Sequence, residues 1–342
     1  MPSTPSAILV HEAVTGGGRA SARPAPLAAE ATAILRALLR DFSAWGRLRV
    51  VATWDDRDPA PTLPADEVVS IRASSYREDL AAVARRCGAA LVVAPETGGQ
   101  LERTTRLMEA VDVLVVGSPS WAVAAAADKA RCPARLTTAG VACPRTVLTT
   151  PRGAVEDARH VGYPLVLKPR FGAGCERVAL VADGDELDAA LTTFGRRDEE
   201  GVVLQEYVRG EAVSVSLLVS GGGAMPIGVN TQDVRPGVPF RYRGGMAGVH
   251  HPRGREIVAA ARAAVGALPG LRGHVGVDLV AAPDRCVVIE VNPRLTTSYV
   301  GLRRVLRANL AELVWRAAVE GGLPGRLGTR GPAPIAWSRG RD

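Results

Sequence analysis

Two short stretches of the sequence are the most informative about the fold: GVDLV at residues 276–280 and VVIEVNPR at residues 287–294. In each stretch apolar residues bracket an acidic one, which predicts two strands that present Asp278 and Glu290 to the same kind of face. The separation of the stretches suits a hairpin. Glu290 and Asn292 are two residues apart, so they lie on one face of their strand. The two strands therefore bring three side chains with oxygen ligands together.

This set of side chains indicates a site for a divalent metal ion. Carboxylate and amide oxygens, with positions left for phosphate oxygens, suit Mg²⁺ rather than zinc. Such groups on apolar strands are costly without a cation or hydrogen-bond partners. The sequence therefore predicts that Asp278, Glu290 and Asn292 bind Mg²⁺, with Mn²⁺ as an alternative ion.

A second part of the site precedes the hairpin in the chain. The apolar strand LVLKP ends by presenting Lys168, and the FGAGC that follows contains Gly172 and Gly174. A cation next to a flexible glycine loop is suited to lie over phosphates, whose oxygens accept N–H donors. Lys129 and Lys168 are the only lysines among 42 basic residues. Either a compact ammonium group is what these two positions require, or chance has kept it.

The first third of the chain alternates short apolar runs with amphipathic stretches, which predicts strands flanked by helices and hence a parallel sheet. These segments are residues 7–14, 27–40, 48–54, 78–87, 89–94, 100–110 and 113–117. The first run ends in TGGG at residues 15–18, where glycines allow either a plain turn or a loop that binds substrate.

The pattern changes along the chain. A helix-like stretch over residues 121–135 begins a second unit. From residue 202 onward longer alternating strands, at residues 202–208, 213–219, 275–281 and 286–291, predict a largely antiparallel sheet. Residues 240–252 resemble a mobile loop able to close over substrate. The predicted domains are residues 1–120, 121–204 and 205–325, followed by a loose tail over residues 326–342.

Composition narrows the functional class. Of 342 residues, 47% are hydrophobic and 23% are charged, and no apolar run is long enough to cross a bilayer. The chain also begins without a signal-peptide pattern, so a cytoplasmic location without membrane contact is expected. The net charge of +7 is spread along the chain and aromatic residues are few, which argues against nucleic acid as a partner. The 5 scattered cysteines predict reduced thiols, and a homodimer is the default expectation.

Taken together, these motifs resemble the ATP-grasp superfamily in their order over about residues 120–302. The resemblance implies an ATP-grasp fold: a Rossmann-like N-terminal domain with a parallel sheet, a central lid, and a C-terminal domain with a mainly antiparallel sheet. It also implies roles for individual residues. By this resemblance, Lys129, Lys168 and the lid glycines contact the phosphates of ATP. Glu206, Tyr207 and Val208 contact adenine, and Glu211 contacts ribose. The three hairpin residues bind the metal ion, and Arg294 stabilises the transferred phosphoryl group.

The implied reaction activates a carboxylate as an acyl phosphate, which a neutral amine then attacks. Lys168 and Arg294 are the expected catalytic residues, because they neutralise negative charge on the transferred phosphoryl group. The glycine loop is expected to exclude water, since an open acyl phosphate would hydrolyse.

Three local strings are similar to the tyramine–glutamate ligase family of methanofuran and methylofuran biosynthesis. They are HE at residues 11–12 with the TGGG that follows, APET at residues 94–97, and NPRLTTSY at residues 292–299. The resemblance implies that the γ-carboxylate of L-glutamate is joined to tyramine, tyrosine or a related small-molecule amine. The expected substrate contacts are Glu96, for an ammonium group, and Thr296, Thr297, Ser298 and Tyr299, for the acceptor pocket.

Alternatives remain at this point. Glu96 and residues 296–298 are also suited to cap helices. The whole chain also suits an ATP-grasp amino-acid or peptide ligase with other substrates, or a protein that binds nucleotide without catalysis. The complete set of metal ligands together with Arg294 argues against the last of these, because binding of ATP alone does not require both.

Overall fold

A computed structural model describes residues 5–18, 25–194, 201–221 and 223–335 of the chain. Within these residues the strands form a parallel sheet of five strands and two antiparallel sheets of four and six strands. With the helices that cover them, the sheets form the mixed α/β and α+β architecture that the sequence predicts. No described helix combines the length and the apolar character needed to span a membrane.

The parallel sheet has the spatial order β3-β2-β1-β4-β5. Side chains on β1 alternate between its two faces: Ile8 and Val10 pack in one cluster with α1, and Leu9 packs in another with α2 and α3. Both faces are thus covered, as a parallel sheet requires. The elements are β1 (Ala7–Glu12), α1 (Ala25–Trp45), β2 (Arg49–Asp55), β3 (Glu67–Ile71), α2 (Tyr76–Cys87), β4 (Gly88–Val93), α3 (Gln100–Ala110) and β5 (Leu114–Val115).

Two short helices, α4 (Ser120–Ala127) and α5 (Arg131–Thr138), follow the parallel sheet. The prediction of one helical stretch over residues 121–135 is therefore wrong at its centre. Asp128 leaves the helical conformation with a ψ of 97°. Its carboxylate accepts the backbone N–H groups of Ala130 and Arg131, which starts the second helix. Lys129 consequently lies in the turn between the two helices.

The four-stranded sheet has the order β6-β9-β7-β8, with α6 and α7 packed in its core cluster. Lys168 lies on β7, one of its two central strands, opposite Val203 of β9. Strand β9, the last of the four in the chain, ends at Glu206, and the residues after it connect to the six-stranded sheet. The elements are β6 (Thr146–Thr149), α6 (Ala154–Val161), β7 (Leu165–Pro169), β8 (Ala179–Val181), α7 (Gly184–Phe194) and β9 (Val202–Glu206).

The six-stranded sheet has the order β14-β13-β10-β11-β12-β15 and is antiparallel throughout. Residues of α8, α4 and α5 pack with one set of its side chains, and residues of α9 and α10 pack with another. The elements are β10 (Glu211–Ser220), β11 (Gly223–Arg235), β12 (Arg241–Ala247), α8 (Gly254–Gly266), β13 (Gly273–Ala281), β14 (Cys286–Asn292), α9 (Ser298–Val305), α10 (Leu310–Trp315) and β15 (Ala333–Ile335).

Two predicted irregular segments contain strands. Within the predicted loop at residues 240–252, β12 pairs with both β11 and β15. Within the predicted loose tail, β15 pairs with β12, and Ile335 is 2% exposed. The rest of the tail, residues 336–342, lies outside the described residues. Both segments were too short or too rich in glycine and proline to show a strand pattern, and pairing with a neighbouring strand orders them.

One hydrophobic cluster joins the parallel sheet to the six-stranded sheet. It contains Ile8 and Leu38 from the N-terminal part together with Leu218, Tyr299 and Leu302 from the C-terminal part. Residues from both parts of the chain thus share one core. The predicted domain boundaries at residues 120, 204 and 325 stay predictions.

Candidate active site

The hairpin of β13 and β14 carries the three predicted metal ligands. Asp278 lies opposite Glu290 in the strand register, and Gly276 lies opposite Asn292. The Asn292 amide donates to Oδ2 of Asp278 over 2.8 Å, and Gln232 Nε2 donates to Oδ1 over 2.9 Å. The structure therefore brings the side chains of Asp278 and Asn292 into contact on the hairpin, and it adds Gln232 of β11 as a partner that the sequence pattern did not indicate.

The two carboxylates of the hairpin titrate differently. Burial, followed by the charge of Glu290, raises the pKa of Asp278 to about 6. Burial acts on Glu290 in the same direction, but the positive charges of Lys129 and Lys168 outweigh it and lower the pKa of this carboxyl. Glu290 also accepts a hydrogen bond from Lys129 Nζ. The pair thus combines one firmly ionised carboxylate with one whose negative charge a cation would stabilise.

The two lysines of the chain lie next to this hairpin. Lys129 is 7% exposed and Lys168 is 4% exposed. Lys168 Nζ donates to Oε1 of Gln205 on β9 over 2.8 Å. Burial, followed by the charge of Lys129, lowers the pKa of Lys168 to about 8. Two buried ammonium groups close enough to repel each other form a site that phosphate oxygens would satisfy.

A second ion pair holds the turn that carries Lys129. Arg170 donates to both carboxylate oxygens of Asp128, over 3.1 Å from Nε and 2.7 Å from Nη2. The backbone N–H of Lys129 donates to the carbonyl of Arg170. The segment after β7 is therefore tied to the turn between α4 and α5. Burial works against the ionised form of Asp128, but Arg170 and the backbone donors prevail and lower its pKa.

Arg294 makes a two-pronged ion pair with Glu96, which follows β4 of the parallel sheet. Its Nε and Nη2 donate to the two carboxylate oxygens, each over 2.8 Å. The side chains are 14% and 1% exposed. Such a paired arrangement fixes the guanidinium plane as well as its charge. The Glu96 side chain forms no capping hydrogen bond with a helix, so the capping alternative for this residue is wrong.

Residues 296–299 are spread over different contacts. Ser298 Oγ lies 2.8 Å from Thr296 Oγ1 and 2.9 Å from Ser216 Oγ. The Thr297 hydroxyl donates to Glu30 of α1. Thr297 precedes α9 without a side-chain capping bond, so the capping alternative is not supported there either.

Tyr299 requires a correction. It is 0% exposed in the core, and its hydroxyl donates to Oδ2 of Asp41 over 2.8 Å. The string NPRLTTSY continues into α9 at Ser298, and the helix turns this side chain toward α1 rather than toward a pocket. Tyr299 is therefore a core residue and does not line the acceptor pocket.

The remaining predicted contacts lie around the two antiparallel sheets. In the loop after β7, Gly174 has a φ of +67°, and Cys175 follows with 63°. Glu206 ends β9, where its carboxylate accepts the N–H of Arg145. Tyr207 and Val208 lie in the connection to β10. That strand begins at Glu211, whose half-exposed carboxylate lies 3.1 Å from Nε2 of His251. These positions fit a nucleotide bound along the connection, which stays a prediction.

The loop after β1 is held by its own hydrogen bonds. The Glu12 carboxylate accepts the N–H of Thr15 over 2.7 Å and its hydroxyl over 2.8 Å. A Cβ on Gly16 would lie 2.7 Å from Oγ1 of Thr53. His11 bridges Thr53 and a tyrosine hydroxyl, and burial lowers its pKa to about 3. These contacts favour the turn over a loop that opens to substrate.

Several residues of the site escaped the sequence patterns. Asp128 and Gln205 are neighbours in the chain of the predicted site residues Lys129 and Glu206, and this was a weak indication that they belong to the site. Glu30, Gln232 and His274 offered none. His274 Nδ1 lies 3.2 Å from the carbonyl oxygen of Arg294. Because a carbonyl only accepts, Nδ1 carries the proton, and burial keeps the ring neutral by lowering its pKa to about 4.

The residues present fit Mg²⁺ together with a nucleotide phosphate chain. Among the described residues, no group of three or more His, Cys, Asp or Glu side chains forms a metal site by itself. Asp278 and Glu290 supply two carboxylates and Asn292 an amide, which leaves positions for phosphate oxygens and water. The buried lysines beside them supply the positive charge that such a chain requires.

Comparison with known proteins places these features in a family. An ATP-grasp domain model matches residues 126–298, and a pre ATP-grasp 3 domain model matches residues 48–123. The first range contains both lysines, the metal hairpin and Arg294. The match thus covers half of the chain. Of the residues that contact the lysines, the hairpin or the loop after it, Glu96 and Glu30 lie outside the matched range.

Two curated relatives and one solved structure are similar over most of the chain. A tyramine–L-glutamate ligase from Methanocaldococcus fervens is 29% identical over 278 residues, which is 81% of this chain and 77% of the relative. One from Methanocaldococcus jannaschii is 32% identical over 229 residues, 67% of this chain and 62% of the relative. A putative ATP-grasp superfamily protein from Archaeoglobus fulgidus superposes with a TM-score of 0.70 at 24% identity, covering 94% of this chain and 89% of that one.

Proposed function

This chain belongs to the ATP-grasp family, as an ATP-dependent carboxylate–amine ligase, and we propose that it joins the γ-carboxylate of L-glutamate to tyramine, tyrosine or a related primary amine. Biosynthesis of a methanofuran-type or methylofuran-type cofactor, in the cytoplasm, is the proposed setting. The observation that carries the ligase chemistry is the cluster in which the buried Lys129 and Lys168 lie beside the partly buried carboxylates of Asp278 and Glu290 and the amide of Asn292. The choice of glutamate and of the amine is supported by the two curated relatives.

The first proposed step transfers a phosphoryl group. A carboxylate oxygen of glutamate attacks the γ-phosphorus of ATP, the bond from phosphorus to the ADP oxygen breaks, and ADP leaves with the electron pair. Lys129 and Lys168 hold phosphate oxygens, and Arg294 meets the negative charge on the transferred group. Asp278, Glu290 and Asn292 would hold Mg²⁺, which would further neutralise the phosphate charge.

The second proposed step forms the amide. The neutral amine nitrogen attacks the acyl carbon, the C–N bond forms, and the C–O bond breaks with its electron pair leaving on phosphate. One proton of the amine passes to phosphate or solvent, since no described side chain stands out as a base, and the other stays on the amide nitrogen. Gly172 and Gly174 give the loop over the site the freedom to close and exclude water.

Contacts to the substrates complete the proposal. Residues 206–208 hold adenine and Glu211 holds ribose. Glu96 holds a substrate ammonium group, and Thr296, Thr297 and Ser298 line the substrate site. The hydroxyls of Thr296 and Ser298 lie in contact with each other, and that of Thr297 donates to Glu30. The homodimer also stays a prediction, which size-exclusion chromatography with light scattering tests directly.

The decisive experiment incubates purified protein with ATP, Mg²⁺, L-glutamate and a panel of amines that includes tyramine and tyrosine. ADP release and product mass are followed together. A glutamyl-amine mass with matching ADP is the expected result. ADP release that depends on another carboxylate would replace glutamate by that substrate and leave the ligase class intact.

The Arg294→Ala variant separates catalysis from nucleotide binding alone. We expect it to keep affinity for ATP, measured by calorimetry, and to lose turnover by about 100-fold or more, because it removes a group that acts on the transferred charge. A wild-type protein that binds ATP without turnover on any carboxylate and amine would contradict the proposal.

A further inference from the structure

A cavity of about 250 Å³ lies between the segment after β4, helix α4 and the loop after β7. Its volume is below the roughly 300–1,000 Å³ typical of sites for drug-sized ligands. It therefore suits a compact molecule. The cavity adjoins the active site, because Glu96 lines it and also binds Arg294.

One wall of this cavity is apolar. Leu101 and Val123 are buried, and Ala124 and Ala127 of α4 continue the same surface. The ring of Phe171 lines the cavity from the loop after β7, with the Arg170 guanidinium 5.1 Å from its centroid. A ligand with a flat or aliphatic body would bury its apolar surface here.

The carboxylates that line the cavity differ in whether they can still bind a ligand. Asp128 is engaged with Arg170, and Glu102 is paired with Arg106 of the same helix. Glu96 uses two acceptor sites on Arg294, and a carboxylate offers about four such sites in all. It can therefore accept a ligand N–H while it keeps Arg294 in place. A cationic nitrogen bound to Glu96 would lie beside the guanidinium that we assign to the acyl phosphate.

We propose that this cavity is the binding site for the acceptor amine, and that it selects a primary amine on a compact apolar or aromatic body. This inference rests on the proposed ligase function and deepens it. The amine nitrogen binds the Glu96 carboxylate and gives up its ammonium proton to phosphate or solvent before it attacks, and the body of the amine packs between α4 and Phe171. The acceptor thus enters on the side of the parallel sheet.

The test uses two nucleophiles of different size. Hydroxylamine traps an acyl phosphate as a hydroxamate without needing an apolar cavity, whereas phenethylamine needs it. In the Ala124→Leu variant an added isopropyl group occupies the space. We expect the ratio of kcat/KM for phenethylamine to kcat/KM for hydroxylamine to fall about tenfold or more, in line with the effect of one misplaced group in an apolar pocket.

The matched control is Ala125→Leu, the same change on the next residue of α4, which does not line the cavity. We expect its ratio to match that of the wild type. A ratio unchanged in Ala124→Leu, or lowered equally in both variants, would overturn the assignment. If Ala124→Leu does not fold, Phe171→Leu replaces it, and the expected result is a lost preference for phenethylamine over hexylamine.

Failure of the proposed function has a different signature. Wild-type protein that forms no hydroxamate with ATP and any carboxylate would contradict the ligase proposal. Calorimetry of phenethylamine with wild type and Ala124→Leu then tests the cavity by itself. Binding that the substitution weakens supports the site, and equal heats in both proteins refute it.

Discussion

Lys168 is an ammonium group held away from solvent beside a second lysine. Its pKa of about 8 lies below the ordinary value of 10.5, because burial and then the charge of Lys129 disfavour the protonated form. Phosphate oxygens favour that form. Binding of ATP above pH 8 must therefore be accompanied by uptake of a proton at this residue.

We expect the affinity for ATP to fall as the pH rises through about 8 and to approach a tenfold loss per pH unit above it. Calorimetry in buffers of different ionisation enthalpy measures both the affinity and the proton uptake. In Lys168→Arg the guanidinium stays charged, so the remaining affinity should be flat between pH 7 and about 9.5. Wild-type affinity that is flat over the same range would contradict this assignment.

Gln232 acts on a proposed metal ligand from outside the hairpin, by donating to Asp278 Oδ1. Partners of this kind orient metal ligands, and their loss typically costs about 10–100-fold in metal affinity or activity. In Gln232→Leu we expect the Mg²⁺ concentration for half-maximal ADP release to rise at least about tenfold. Asp233→Asn, a half-exposed neighbour on the same strand, is the control. An unchanged Mg²⁺ requirement would show that the contact does not support metal binding.

Among the elements, β12 shows how closely neighbouring strands of the six-stranded sheet approach each other. Gly245 lies opposite Gln232 in the register, and a Cβ at this glycine would lie 2.0 Å from the carbonyl oxygen of Thr231. No side-chain rotation relieves a contact with backbone. Any larger residue must therefore push β11 and β12 apart.

We expect Gly245→Ala to lower the free energy of unfolding by about 2 kcal/mol, as overpacking of a rigid contact does. Gly266→Ala is the matched control, since a Cβ there meets nothing within 4 Å at the end of α8. It should raise the free energy of unfolding by roughly 0.4–1 kcal/mol. Chemical denaturation measures both. Equal effects of the two substitutions would mean that the strands move apart without cost.

For the whole molecule, Asp41 ties the N-terminal part to the C-terminal part. Its carboxylate accepts the Tyr299 hydroxyl over 2.8 Å and Arg303 Nε over 3.0 Å, and its carbonyl accepts the Asn309 amide over 2.8 Å. One residue of α1 thus bonds with α9, which follows the residues of the site.

We expect Asp41→Ala to lower the free energy of unfolding by about 3 kcal/mol, because it leaves a buried hydroxyl and a partly buried guanidinium without their acceptor. Adding Tyr299→Phe removes the orphaned hydroxyl, so the double variant should lose less than the sum of the two single changes. Arg40→Ala, at an exposed neighbour on α1, is the control. Strictly additive losses from Asp41→Ala and Tyr299→Phe would contradict the coupling.

The family, the mixed α/β and α+β fold and the class of reaction were predictable from sequence. The domain model confirms the family, the solved structure confirms the fold, and the curated relatives confirm the class of reaction. The metal hairpin and the strand that ends at Lys168 were also visible, because alternation with a period of two is a local property of a strand. Strand β3 and the strand within residues 240–252 were not visible, since short or glycine-containing segments are ordered by their neighbours. The break between α4 and α5 was not visible either, because it depends on the Asp128 carboxylate, which accepts the first N–H groups of α5 and pairs with Arg170.

The amino-acid sequence is therefore sufficient to identify the chemical groups of the site and the local elements that carry them. How these groups pair with one another depends on the packing of distant elements. Glu96 and Arg294 are 198 residues apart, and their ion pair depends on two sheets that meet in space. Tyr299 continues a site motif in the chain, yet the direction of α9 buries it against α1. Local patterns encode which face of an element a side chain occupies, whereas contacts between distant elements depend on how the whole chain packs its hydrophobic faces.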